Sequence, residues 1–169
     1  YDAPDNAAMT QPPPLIDAHT DVAGGYRFPG IVYKGEAWEL SHLDPFAFQA
    51  QLSANLTVDV VVLFSCHCFT HSRKRDPRDA IPADEHFWEG GMLRILSPER
   101  YELSRQFLPT LIQELGSRHI KVVGGGQPNY LCFESIDQAG KLVYYSVFFE
   151  VIKDTVRKKR ILLRVQTAY

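Results

Sequence analysis

The sequence predicts an α+β domain: an antiparallel sheet of about five strands with two or three helices packed on one face. Three observations carry this expectation. Thr57 to Ser65 (TVDVVVLFS) is a dense β-branched run, with Val60, Val62 and Phe64 on one face and Val61 and Leu63 on the other. Ser97-Pro98-Glu99 opens a stretch in which Leu103, Phe107, Leu111 and Leu115 recur at a helical spacing. From Asn129 to Tyr169 the chain reads as three successive antiparallel strands.

The elements follow in order. Residues 1–14 (YDAPDNAAMTQPPP) are polar and proline-rich without periodicity, so they read as a disordered arm before a single α+β domain over 15–169. Ile31 to Gly35 is a short strand ending in a turn, with Trp38 to Leu43 as its hairpin partner. Asp44-Pro45 offers an N-cap and a first-turn proline, which predicts a helix from Pro45 to about Leu52. The strand over Thr57–Ser65 is apolar on both faces and so should be central. Residues 66–91 read as a long irregular loop, and long loops in compact domains are commonly functional. Pro109 should kink or split the second helix, with Gly116 as its C-cap. A short strand over His119–Val123 and a glycine turn over 124–126 come next. Strands over Asn129–Ile136, Lys141–Lys153 and Arg157–Tyr169 complete the chain.

A chain of 169 residues is long enough to bury a core without a disulfide or a structural metal. Its net charge of −2 leaves any affinity for polyanions to local patches. No apolar run reaches the roughly 18 residues of a membrane span, which predicts no membrane partner. The opening residues do not read as a secretory signal, and the three cysteines cannot all pair. Together these point to a reducing, cytoplasmic setting.

Charge collects in two places. Arg73, Lys74 and Arg75 lie in the 66–91 loop. Lys153, Arg157, Lys158, Lys159 and Arg160 surround the start of the last strand. Both sets are candidate phosphate contacts. In the last strand Ile161, Leu163 and Val165 should face the helices, leaving Leu162, Arg164 and Gln166 on the other face. Arg164 is thus placed to steady charge that develops in a reaction. Plain alternation puts Thr167 and Tyr169 on the buried side, so a role for them requires a bulge or a frayed end. His67 and His71 are the leading proton-transfer candidates, His67 because it directly follows the central strand. Cys66-His67-Cys68 invites a zinc site, but the cysteines are closer than the usual two-to-four-residue spacing, so the expected metal and cofactor content is none. A thiol-dependent enzyme would need a base held at one of these cysteines.

The C-terminal segments NYLCFESID, KLVYYSVFFEVI and KRILLRVQTAY, preceded by helix and strand, resemble the barnase/EndoU/colicin/RelE superfamily of small α+β toxins and RNases. The resemblance covers about the last 70 residues and rests on strand order and a terminal R-x-x-T-x-Y pattern. It implies a site containing Arg164, Thr167 and Tyr169 with an upstream histidine. It further implies a metal-independent endoribonuclease of toxin type, from a mobile element, with RNA as substrate and an inhibitor or antitoxin protein as partner. The competing expectation is a non-enzymatic interaction module that holds a protein or nucleic acid through its sheet face or the 66–91 loop.

Overall fold

A computed structural model describes residues 13–17, 26–115, 129–136 and 139–169. Its centre is β5 (Leu56–Phe64), whose β-branched run is buried on both faces as its sequence requires. β4 (Phe46–Ser53) pairs antiparallel with one edge of β5, and β11 (Arg160–Ala168) pairs parallel with the other. With β1 (Leu15–Ile16), β9 (Asn129–Ile136) and β10 (Leu142–Lys153) they form a six-stranded sheet in the order β1-β4-β5-β11-β10-β9. β2 (Ile31–Tyr33) and β3 (Glu36–Trp38) form a separate hairpin. β6 (Thr70–Ser72), β8 (Met92–Leu96) and β7 (His86–Glu89), in that order, form a third sheet.

The fold is therefore mixed α+β, but not the expected one. Among the described residues there is a single α-helix, α1 (Pro98–Gln113), and three sheets. The helix expected over residues 45–52 is β4. Its alanines, glutamines and leucine do favour helix, but intrinsic propensity is worth only tenths of a kcal/mol per residue, and the antiparallel ladder with β5 overrides it. The 66–91 stretch is not one irregular loop. It holds short 3-10 turns at Cys66–Cys68, Arg73–Arg75 and Ala83–Glu85 besides β6 and β7. Gly90 and Gly91, both at positive φ, make the two-residue turn between β7 and β8. Lys34-Gly35 does the same between β2 and β3.

The α1 start matches its sequence signal: the Ser97 hydroxyl caps the helix by accepting from the Arg100 N–H, and Pro98 sits in the first turn. Pro109 does not split the helix. The face that α1 buries carries Tyr101, Ser104, Leu108, Leu111 and Ile112, with Leu115 just beyond, while Leu103 and Phe107 lie only at its margin. It covers the side of the sheet that carries Val60, Val62, Phe64, Tyr145, Val147, Phe149, Leu163 and Val165. The β2–β3 hairpin closes this core through Trp38, which stacks on Tyr101 at 4.2 Å between ring centroids. The Tyr101 hydroxyl binds the Glu39 backbone, accepting from its N–H and donating to its carbonyl. On the opposite face Ala47, Val61 and Leu63 form a smaller cluster with Ile16 and Leu162.

β1 and Pro13, whose carbonyl accepts from the Gln113 amide at 2.8 Å, join the start of the described chain to the domain. Residues 13 and 14 are thus part of the described chain rather than of the expected arm, and residues 1–12 lie outside the described residues. So do the expected strand over 119–123, the glycine turn over 124–126 and the Gly116 cap.

Leu108 is fully buried between α1 and the sheet. Truncating it to alanine removes three carbons from a close-packed site, and urea unfolding should show a loss of about 2–5 kcal/mol. A loss below about 1 kcal/mol would show that α1 does not pack on this core.

Candidate functional site

The site forms where the parallel strands β5 and β11 both end. Beyond Phe64 the chain stays tied to β11: the Ser65 N–H donates to the Val165 carbonyl at 3.0 Å, and its hydroxyl donates to the Gln166 carbonyl at 2.5 Å. The same hydroxyl caps the 3-10 turn by accepting from the His67 N–H at 3.2 Å. One serine therefore fixes His67 against the end of β11. The β10–β11 ladder steps from Phe149–Val165 to Phe148–Thr167, leaving Gln166 as an extra residue. This is the bulge that a role for Thr167 and Tyr169 required. Val165 and Ala168 stay buried, and Thr167 and Tyr169 reach the cleft.

Two adjoining clefts share His67. One, of about 390 Å³, is lined by Ser65, His67, Glu89, Arg164, Gln166 and Thr167. The other, of about 230 Å³, is lined by His67, Thr167 and Tyr169 with Arg75, Arg94 and Arg100. Of the residues expected together from the sequence, His67 and Thr167 line both clefts, Arg164 the first and Tyr169 the second. Arg94, Arg100 and Glu89 were not anticipated. Arg100 lies in the first turn of α1 and crosses to the sheet end. It donates to the carbonyls of His67 and Thr70 at 3.0 and 2.9 Å and to the Thr167 hydroxyl at 3.5 Å. Its guanidinium lies 4.8 Å from the Tyr169 ring centroid, and Phe148 stacks on that ring at 5.8 Å. Arg94, buried in β8, donates to the Thr70 hydroxyl at 2.7 Å.

These charges act on His67. Partial burial holds its pKa below the ordinary histidine value, and Arg94, Arg100 and Arg164 push it the same way against the opposing pull of Glu89. Its Nε2 lies 3.7 Å from the Glu89 carboxylate. Burial likewise lowers the pKa of Arg100 from its usual value, with Arg94 and Arg75 adding to the effect. Arg164 is exposed on the sheet face opposite α1, 3.9 Å from Glu150.

The other expected residues are placed differently. His71 pairs through Nε2 with Asp76 at 3.0 Å and lines a neighbouring cleft with Arg75, Arg100 and Tyr169. Arg73 spends its guanidinium on the carbonyls of Asp76, Arg78 and Asp79, which organises the loop. Lys74 is exposed, and Arg75 is both exposed and part of the cleft. Lys153, Arg157, Lys158 and Lys159 are exposed at the β10–β11 turn. Seven residues of β11 separate Arg160 from Thr167, about 23 Å of strand, so this cluster cannot contact the same phosphate as His67. Arg160 is not a surface contact at all: it is buried and paired with the buried carboxylate of Asp154. His42 and His86 bind Ser104 and the Ile81 carbonyl at 2.8 and 3.0 Å, structural uses both. His19 and His119 lie outside the described residues.

All three cysteines are free. Cys66 and Cys68 are buried, as expected for structural thiols, and burial with the nearby Glu89 pushes the Cys66 pKa up to about 12. That value disfavours a nucleophilic thiolate at neutral pH. Among the described residues no helix is long and apolar enough to cross a membrane.

Fold and site together define a sheet-rich α+β protein with a histidine set in an arginine-lined cleft at the end of a parallel strand pair. The chain belongs to the YjaZ family, which it matches over residues 30–169. No curated protein and no solved structure matches it.

Three carboxylates, two in the 73–85 segment and one at the β10–β11 turn, are held below their ordinary range by hydrogen bonds. Asp76 accepts from Arg78 and His71, Glu85 from Arg78 and Lys34, and Asp154 from the Val156 N–H and Arg160. A carboxylate with a depressed folded pKa stabilises the fold above its unfolded pKa, and that contribution is lost as pH falls through the folded value. The urea midpoint should therefore hold from about pH 7 to 5 and fall below about pH 4. Arg78→Gln should flatten that decline, because it removes the first cause of the shift at both Asp76 and Glu85. A decline unchanged in the variant would show that other groups govern acid stability.

Proposed function

We propose that the protein is a metal-independent endoribonuclease, and the observation that carries this reading is the convergence of His67 with Arg164, Arg100, Thr167 and Tyr169 at the end of β5 and β11. Cleavage of RNA without a metal needs a base for the 2′-hydroxyl, an acid for the leaving 5′-oxygen and cations for the phosphorane. His67 is the base. Surrounded by arginines, it favours its neutral form and can accept the 2′-proton as that oxygen bonds to phosphorus. Arg164 and Arg100 hold the non-bridging oxygens, whose charge grows as the pentacoordinate state forms. As the bond to the 5′-oxygen breaks, that oxygen takes a proton from His71, which its Asp76 partner orients, and the other product ends in a 2′,3′-cyclic phosphate. Thr167 donates to or accepts from the phosphate or ribose, and Tyr169 lines the wall on which Arg100 rests.

The cleft and the resemblance of the last three strands to small RNase toxins support the same reading. A toxin of mobile-element origin, held in check by an inhibitor protein in a reducing cytoplasm, is the setting we propose. The free thiols agree with it. One observation favours a second reading, an interaction module. Lys153, Arg157, Lys158 and Lys159 sit beside exposed Val151, Ile152 and Val156, far from His67, in a surface suited to an acidic partner.

Purified protein incubated with unstructured RNA should yield fragments ending in 2′,3′-cyclic phosphate, and a 2′-deoxy substitution at the cut position should block cleavage there. His67→Ala and Arg164→Ala should each lower the single-turnover rate about 100-fold or more, with RNA binding weakened only modestly. Absence of cleavage at micromolar protein free of any inhibitor would sink the enzyme reading and favour the interaction module.

A further inference from the structure

His67 belongs to a second constellation. A ring nitrogen of His67, the Cys66 sulfur and a Glu89 carboxylate oxygen lie within 4.8 Å of one another. We propose that these three side chains bind a zinc ion, and that the ion inhibits the enzyme by occupying the nitrogen that serves as base. The metal site stands independently of the RNA reading; the inhibition rests on it.

The sequence hides this site, because only two of its ligands are adjacent and the obvious third, Cys68, is not part of the converging group. The third ligand comes instead from the end of β7, which the β7–β8 hairpin carries back over the 3-10 turn. The groups already address one another. The Cys66 sulfur lies within 4.8 Å of the Glu89 carboxylate, and His67 Nε2 lies 3.7 Å from Glu89 Oε2. Bond lengths near 2.3 Å for Zn–S and 2.0–2.1 Å for Zn–N and Zn–O put tetrahedral ligand atoms about 3.3–3.6 Å apart. The triad needs to contract by about 1 Å at its widest edge. Glu89 is half-exposed and can supply that by a side-chain rotation.

Three protein ligands leave a fourth position, and two of them, His67 and Glu89, line the cleft that also holds Arg164 and Thr167. A water or a substrate phosphate oxygen can fill it. The chemistry also selects the ion. Arg94, Arg100 and Arg164 surround the triad and repel a cation held by charge alone, which excludes magnesium and calcium. A thiolate bond is what a soft or borderline ion gains here, and with thiolate and carboxylate both ionised the two negative charges balance Zn²⁺. Binding releases the thiol proton to solvent; nothing is oxidised or reduced.

The test uses the full chain. Zinc chloride titrated against a chromogenic chelator should show one site per chain, while magnesium should show none. Cobalt should give a thiolate-to-metal charge-transfer band. Cys66→Ser should abolish that band, and Glu89→Gln should weaken zinc at least about 10-fold, whereas Cys132→Ala, at an exposed cysteine, should change neither. If Cys66→Ser fails to fold, Glu89→Gln still decides. On RNA, stoichiometric zinc should suppress cleavage, chelator should restore it, and Cys66→Ser should cleave without responding to zinc. Zinc that binds without a thiolate band, or with unchanged affinity in Glu89→Gln, overturns the site. Zinc bound at the triad with cleavage unaffected overturns the inhibition alone, and protein that binds zinc but never cleaves RNA separates this proposal from the enzyme reading.

Discussion

The pairing on which the rest depends is the parallel ladder between β5 and β11. It joins strands about a hundred residues apart in sequence, from Arg160 beside Asp59 to Val165 beside Phe64. Parallel neighbours end on the same side, so the residue that follows β5 and the residues that finish β11 must emerge together. His67 follows one, and Thr167 and Tyr169 finish the other. An antiparallel pairing of the same strands would put His67 beside the basic turn at Lys159 instead. The loop-closure entropy of so distant a contact is offset by burial: Val60, Val62 and Phe64 pack under α1 with Leu163 and Val165, while Val61 and Leu63 seal the other face. The cleft is thus a consequence of the core, and its position needs no interaction of its own beyond Ser65, which ties the two chain ends after the ladder stops.

Electrostatics then give the cleft its character. A protein of net charge −2 has no general affinity for polyanions, yet three arginines meet around His67. Two of them are held by carbonyl and hydroxyl oxygens rather than by carboxylates, Arg94 at Thr70 and Arg100 at His67, Thr70 and Thr167. Neutral acceptors fix a guanidinium without cancelling its charge, so the field stays directed into the opening. The Asp76–Arg78–Glu85 network is the contrasting case. There the guanidinium lies between two carboxylates at 2.7 and 2.9 Å, which spends its charge on holding the loop that follows His71.

Much of this was legible in the sequence, and the remainder was hidden for identifiable reasons. The β5 run, the Ser97-Pro98 helix start and the last three strands have local signals strong enough to survive any context. β4 does not: Phe46 to Ser53 carries good helix formers after an Asp-Pro pair, and only the ladder of β5 turns it into a strand. The β7–β8 hairpin was readable, since Gly90-Gly91 between two apolar segments is a two-residue turn signal, but the charged residues before it drew the stretch toward a loop. His67, Arg164, Thr167 and Tyr169 could be nominated because they lie at or just beyond strand ends. Arg94 and Arg100 could not: one is an inward-facing strand residue and the other a helix residue like any charged group in a first turn, and only the tertiary fold brings both to the sheet end. Arg160 shows the opposite error. A basic run gives no sign of which member turns inward, and the buried Asp154 makes that choice.

That inward turn separates two surfaces that the sequence merges. In the linear chain the basic run and the R-x-x-T-x-Y ending are neighbours, so one substrate contacting both is the natural expectation. On an extended strand they become opposite ends of a rod of about 23 Å. Pairing Arg160 with Asp154 anchors the β10–β11 turn, and the backbone N–H groups of Val156 and Arg157 bind the same carboxylate. The turn is thereby a fixed display of lysines and an arginine beside exposed aliphatic side chains, independent of proton transfer at His67. A ligand reaching from one end to the other would have to be a polymer. A compact partner at the turn would leave the histidine cleft open. The histidine cleft and the basic turn are thus separable by geometry, and substitutions at the two ends of β11 should be additive in their effects on stability, as expected of sites this far apart.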